Sequence, residues 1–197
     1  MTGRLGFALI ALSLLGVPAN ASPFLLDKGV APPLAAWSAF CREQPAECTV
    51  DRSEPETVPG TPELLELIDA VNRLVNRTVL PVRDIDYRGV LDRWEYPVDD
   101  IGDCEDIQLL KRRFLIEAGL PRRALPMTVV VDELGEGHAV LTVRTHAEDL
   151  ILDNKRDEVR RWDRTGYEFV KREAMTATGW AFLEPVPHRP VVTAAAQ

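Results

Sequence analysis

The apolar period of this chain changes once, and that change limits what it can fold into. In two stretches before Gly119, residues 61–76 and 104–118, apolar side chains recur every three or four positions, as on an amphipathic helix, and from Met127 onward they alternate, as on a strand. Gly119-Leu120-Pro121 lies between the two regimes and reads as a helix stop, glycine just past the last turn and proline soon after. Helices first and strands afterwards predict an α+β domain with an antiparallel sheet.

The last helix before the switch is predicted over 104–118, with Ile107, Leu109 or Leu110, Phe114 and Ala118 on its apolar side. Asp103 is placed to cap it, and Glu105 and Asp106 fall in the first turn, where the helix dipole favours negative charge. An earlier helix over 61–76 opens with Thr61-Pro62-Glu63 and carries the stripe Leu64, Ile68, Val71 and Val75. Strands are predicted over 127–132, 138–145, 150–153, 167–172 and 180–183, with a turn at 133–137. Residues 22–60 are proline-rich and are expected to wrap the core irregularly, apart from a short helix over 33–41 with Trp37 and Phe40 inward. Residues 77–101 are expected to be a long ordered loop, with Tyr87, Trp94 and Tyr96 available to line a site.

The N-terminus carries a different signal. Arg4, an apolar run over 5–17 and Pro18-Ala19-Asn20-Ala21 compose a secretory signal peptide over 1–21, with Ser22 as the mature N-terminus. That leaves one domain over 22–183 and a flexible tail over 184–197, rich in proline and small residues. The exported chain would be periplasmic or secreted. Removing Arg4 takes the formal charge from −8 to −9. An acidic domain without a basic cluster is a poor nucleic-acid binder, and that class is set aside.

Export gives the three cysteines meaning. Cys41 and Cys48, seven residues apart, are most simply a local disulfide in an oxidising compartment. Cys104 is left over, in the first turn of a helix where free backbone N–H groups favour a thiolate and can hold an oxyanion. A hairpin turn centred between Thr145 and His146 would pair Val140 with Ile151 and His138 with Asp153, placing the last two side chains on one sheet face. A carboxylate in the apolar run Leu150-Ile151-Leu152 needs a partner, and His138 supplies one. Cys104, His138 and Asp153 then have the residue types of nucleophile, general base and orienting acid in acyl transfer. The Cys104 N–H would be one oxyanion donor, with a second from 77–101, Asn72 or Asn76.

Gly102-Asp103-Cys104-Glu105-Asp106, Gly137-His138-Ala139-Val140-Leu141, Leu152-Asp153-Asn154 and the upstream Trp94-Glu95-Tyr96-Pro97 together resemble the bacterial transglutaminase-like cysteine proteinase family, with its LapG-like periplasmic members. The resemblance spans roughly Trp37 to Leu183 and departs at Ile107, where an aromatic is more usual. It implies a papain-like or transglutaminase-like core, a nucleophile-bearing helix packed on an antiparallel sheet, and the triad Cys104, His138, Asp153. It implies a protein or peptide substrate, with a surface adhesin and biofilm control as the family precedent, and an inner-membrane regulatory protein as a further partner. It also implies calcium held by Asp103 and Glu105, with no cofactor required for the chemistry itself. Calcium has a physical basis too: Asp99, Asp100, Asp103, Glu105 and Asp106 crowd the thiol, and a hard cation would offset the rise in its pKa that such anions cause. The same triad also suits transglutaminase-type acyl transfer or deamidation, and the same fold a non-catalytic binding module.

Overall fold

In a computed structural model the chain is described over residues 22–184. The expected signal peptide at 1–21, and the expected tail apart from Glu184, lie outside the described residues. The helices are α1 (Ala35–Glu43), α2 (Pro62–Thr78), α3 (Asp84–Tyr87) and α4 (Cys104–Glu117). The strands are β1 (Asp27–Ala31), β2 (Leu80–Pro81), β3 (Ile101–Gly102), β4 (Met127–Val131), β5 (Gly137–Arg144), β6 (Asp149–Leu152), β7 (Arg160–Arg161), β8 (Glu168–Glu173) and β9 (Trp180–Leu183). Seven of them form one sheet in the order β1-β9-β8-β4-β5-β6-β7, every neighbour antiparallel, and β2 and β3 make a separate parallel pair. The fold is α+β, as the change of period predicts. Among the described residues no helix is long and apolar enough to cross a membrane.

The sheet is covered on both faces, and strand alternation sorts its side chains between them. Met127, Leu141, Val143, Leu150 and Leu152 pack with Ile107, Leu109 and Leu115 of α4 and with Ile68, Val71 and Val75 of α2. Val130, Val140 and Ile151 pack on the other side with Leu25, Trp162 and Phe169. Each such aliphatic contributes roughly 1.5–3 kcal/mol on burial. Sandwiched between α2 and the sheet, α4 is buried almost all round, including Lys111 and Arg112. It ends as Gly119 predicts: that residue has φ 98°, its N–H donates to Ile116 O at 2.9 Å, and the Leu120 N–H donates to Leu115 O at 3.0 Å. This is a Schellman cap, which needs the left-handed conformation glycine tolerates.

Three expectations are corrected. Asp103 sits at the N-cap position of α4 but makes no capping hydrogen bond; its Oδ2 accepts from the Asp84 N–H at 3.4 Å, so the carboxylate is drawn into a neighbouring acid cluster. Residues 77–101 are not one loop but contain β2, α3 and β3. Buried carboxylates stand in there for absent secondary structure: Asp84 accepts the Arg93 N–H at 2.5 Å, and Asp106 accepts the Glu95 N–H at 2.8 Å. The close fit at Gly102 follows, since a Cβ there would lie 2.8 Å from that of Asp106. Finally, the N-terminal segment is not irregular throughout: it supplies the edge strand β1, and Leu25 is tied to β6 and β8 through Asp149 and Arg172.

Candidate active site

Cys104 is the first residue of α4, so its N–H is one of the donors that a helix start leaves without an internal partner. His138 is the second residue of β5, and Asp153 follows the last residue of β6. The β5–β6 register pairs Leu141 with Leu152 and Arg144 with Asp149, two residues away from the expected pairing. The cause is a four-residue connection, residues 145–148, in which Thr145 Oγ1 accepts from the Ala147 and Glu148 N–H groups. Because the slip is even, side-chain faces are preserved, and His138 still meets Asp153 along a diagonal.

Their contact is short and buried: His138 Nε2 lies 2.8 Å from Asp153 Oδ1. Asp153 is held from three further directions. Tyr167 donates its hydroxyl to Oδ2 at 2.5 Å, the Lys155 N–H donates to Oδ1 at 3.0 Å, and Asn76 Nδ2 donates to the Asp153 carbonyl at 2.9 Å. Burial pushes the Asp153 carboxyl up, but hydrogen bonds from His138 and Tyr167, with the histidine's charge, more than offset this and hold it below its ordinary range. The Tyr167 ring also stands edge-on to the His138 ring, with centroids 5.8 Å apart. With Nε2 committed to Asp153, Nδ1 is the nitrogen left to exchange a proton, a tautomer assigned from the hydrogen bonding.

Cys104 and Cys48 are not linked; Cys41 and Cys48 form the disulfide, and Cys104 is free. Cys104 and His138 line the same cleft, of about 570 Å³. Pro81, Ile85, Leu91 and Trp94 give it an apolar wall, and Glu136, Asn154 and Lys155 a polar one. The thiol donates to Glu105 Oε2 at 3.1 Å. Withdrawal from water and the Glu105 carboxyl push the thiol well above its ordinary value. The thiolate-favouring influence of the helix start is outweighed in this arrangement.

Asp84, Asp103 and Glu105 each bring one oxygen within 4.8 Å of the others. Burial first, then mutual repulsion, push the carboxyls of Asp103 and Glu105 upward, and Asp103 Oδ1 is a buried acceptor without a partner. Three converging carboxylates with an unmet oxygen suit a hard cation, and calcium fits this donor set. Asp99 and Asp100 are exposed and outside the cluster, and Asp106 is engaged with Glu95. Tyr96, one of the aromatics offered for a site, lies instead beneath the Arg113 guanidinium. Asn72 and Asn76 are not at Cys104: both hold the segment from Asp153 onward, through the carbonyls of Asp153, Arg156 and Asp157.

Two residues at this site escape sequence reasoning. Asp84 lies twenty positions before Cys104 in a four-residue helix with no pattern to mark it. Tyr167 opens the strand expected over 167–172, and nothing local shows that its hydroxyl reaches Asp153.

A model of the family described as bacterial transglutaminase-like cysteine proteinase matches residues 27–186. Among solved structures, calcium-bound LapG of Legionella pneumophila is 26% identical over 63% of this chain and 71% of its own, with a TM-score of 0.53. EGTA-treated LapG from the same organism is 25% identical over 64% of this chain and 70% of its own, also with a TM-score of 0.53. A comparison with curated proteins gave no match.

Proposed function

The chain belongs to the bacterial transglutaminase-like cysteine proteinase family and is a cysteine peptidase with a protein substrate, and we propose that it works through Cys104, His138 and Asp153. The observation that carries this reading is the buried 2.8 Å His138–Asp153 pair opening on the same cleft as the free Cys104. His138 Nδ1 takes the thiol proton, and the sulfur attacks the scissile carbonyl. The Cys104 N–H receives the oxyanion, and the imidazolium, stabilised by Asp153, protonates the departing amine. Water then releases the acyl group by the same route in reverse. Replacing Cys104 with alanine is expected to abolish cleavage. N-terminal labelling of periplasmic and surface proteins, followed by mass spectrometry, would find new chain ends with the wild type only. Identical sets of ends would sink the proposal, while isopeptide crosslinks or deamidated glutamines in place of new ends would make the reaction acyl transfer.

Calcium is the cation proposed for Asp84, Asp103 and Glu105. Bound there, it would place positive charge beside the start of α4 and offset the carboxylates that disfavour a thiolate. The calcium-bound and EGTA-treated states of Legionella pneumophila LapG support the choice. Chelation is expected to slow alkylation of Cys104 by chloroacetamide at pH 7, about tenfold for each unit by which the thiol pKa rises, and added calcium to restore it. Equal rates with and without chelator would remove calcium from the proposal.

Export to the periplasm is part of the same reading, supported by the Cys41–Cys48 disulfide, a bond of oxidising compartments. A surface adhesin as substrate and an inner-membrane protein as regulator rest on the family resemblance alone.

A further inference from the structure

Gly137 precedes His138 and lines the cleft, yet nothing in the fold asks for glycine there. Its φ is not in the left-handed region, and a Cβ built on it would meet no atom within 4 Å. Glycine in a strand sacrifices both packing and chain entropy, and one that the backbone does not require commonly marks a close approach by something else.

The register shows what could approach. The Thr142 N–H donates to Pro126 O at 3.1 Å and the Asp132 N–H donates to Glu136 O at 2.9 Å, so even-numbered residues of this stretch turn their main-chain groups toward β4. Odd-numbered residues therefore turn theirs the other way. On that side β6 pairs with Leu141 and Val143, and the ladder stops at Leu152 because the chain beyond Asp153 is pulled away by Asn72 and Asn76. Ala139, the next odd-numbered residue, lines the cleft beside Cys104. Gly137 is left exposed, with its N–H and C=O on the open side and no partner for them among the described residues.

We propose that Gly137 is the substrate-docking residue of this peptidase: its free main-chain edge pairs with an extended segment of the substrate, and its missing side chain admits that segment to Cys104. The substrate class is thus polypeptide presented as a strand, added to β5 where β6 has ended, and neither a free amino-acid amide nor a compact folded turn. The inference rests on the reading of Cys104 as the nucleophile.

The test compares the wild type with Gly137→Ala and Gly137→Val, using two probes for Cys104. One is chloroacetamide, which needs no docked main chain; the other is a mixed set of capped tripeptidyl chloromethyl ketones, which does. The wild type should react faster with the tripeptidyl set than with single-residue chloromethyl ketones. That advantage should fall by at least about tenfold in Gly137→Val, the size of a small-to-large clash, and by an intermediate amount in Gly137→Ala. Chloroacetamide rates and melting temperatures should stay at wild-type values. An advantage that survives in Gly137→Val, or one missing from the wild type, overturns the proposal. Should Gly137→Val not fold, Gly137→Ala decides, since an undiminished advantage there sinks the idea equally. A Cys104 that chloroacetamide leaves unlabelled would instead bring down the catalytic reading itself.

Discussion

Asp153→Ala is expected to lower kcat/KM by about 10³–10⁴-fold on any peptide that the wild type cleaves, and Asp153→Asn by only about 10–150-fold. The difference comes from the Lys155 N–H, which donates to the same Oδ1 that faces His138 Nε2. An asparagine must place its carbonyl oxygen there to accept both donors, which turns its amide toward the Tyr167 hydroxyl, a group able to accept. The histidine keeps its tautomer, and what is lost is the charge on the acceptor, worth about 1.5–3 kcal/mol for a hydrogen bond to an ionised group. Alanine removes both charge and orientation and leaves Tyr167 and Lys155 with unmet donors. Steady-state kinetics on both variants, with melting curves to show that each is folded, would check this. Equal losses would mean that Lys155 does not orient the acid.

How far the sequence leads to this site depends on the range of each signal. The start of α4 and its stop at Gly119 are legible because period, first-turn acids and terminating glycine all lie within one stretch of chain. The meeting of His138 with Asp153 is legible for a weaker reason. The turn is centred one residue later than expected, which moves the register by two, because Thr145 builds a longer connection and the His146 N–H is drawn to Val58 O. An error of two keeps the sheet face where an error of one would have destroyed the pair.

Long-range features left no such trace. Asp103 has the residue type of a cap, and only Asp84 explains why it faces the acid cluster. Arg112 falls outside the apolar stripe expected of α4, and nothing within that helix shows that Glu173 of β8 and Glu47 will hold it. Residues 77–101 have no period because short elements there are held by the buried carboxylates of Asp84 and Asp106. Single acceptors, and not apolar repeats, organise this segment.

Arg112 belongs to the second large effect. Glu173→Gln is expected to destabilise the fold by about 3–5 kcal/mol, the usual result of removing one partner from a buried charge network. Glu173 closes β8 and gathers four donors: Trp37 Nε1 of α1 at 2.8 Å, Arg112 Nη1 of α4 at 2.7 Å, Arg122 Nη2 at 3.2 Å and the Met127 N–H of β4 at 3.0 Å. One carboxylate thus joins α4, the helix of Cys104, to the sheet and to α1. Burial alone would push that carboxyl up; the two arginines, with the hydrogen bonds from Met127 and Trp37, bring it below its ordinary value. Glutamine keeps the shape but leaves the fully buried Arg112 side chain with only the Glu47 carboxylate, 3.5 Å away, and the nearly buried Arg122 without an anion. For a chain of this size the loss corresponds to a drop of roughly 6–20 °C in Tm. The acid side of the stability profile gives an independent check. A carboxyl whose folded pKa is lowered contributes its full stability above the unfolded value of about 4.3 and loses it as pH falls through the folded value, so the wild type should lose stability there faster than the variant. Removing the exposed Arg73–Asp69 pair, 42% exposed on each side, should cost under about 1 kcal/mol. If Glu173→Gln cost no more than that surface pair, the network would be a bystander, and the position of α4 on the sheet would rest on apolar packing alone.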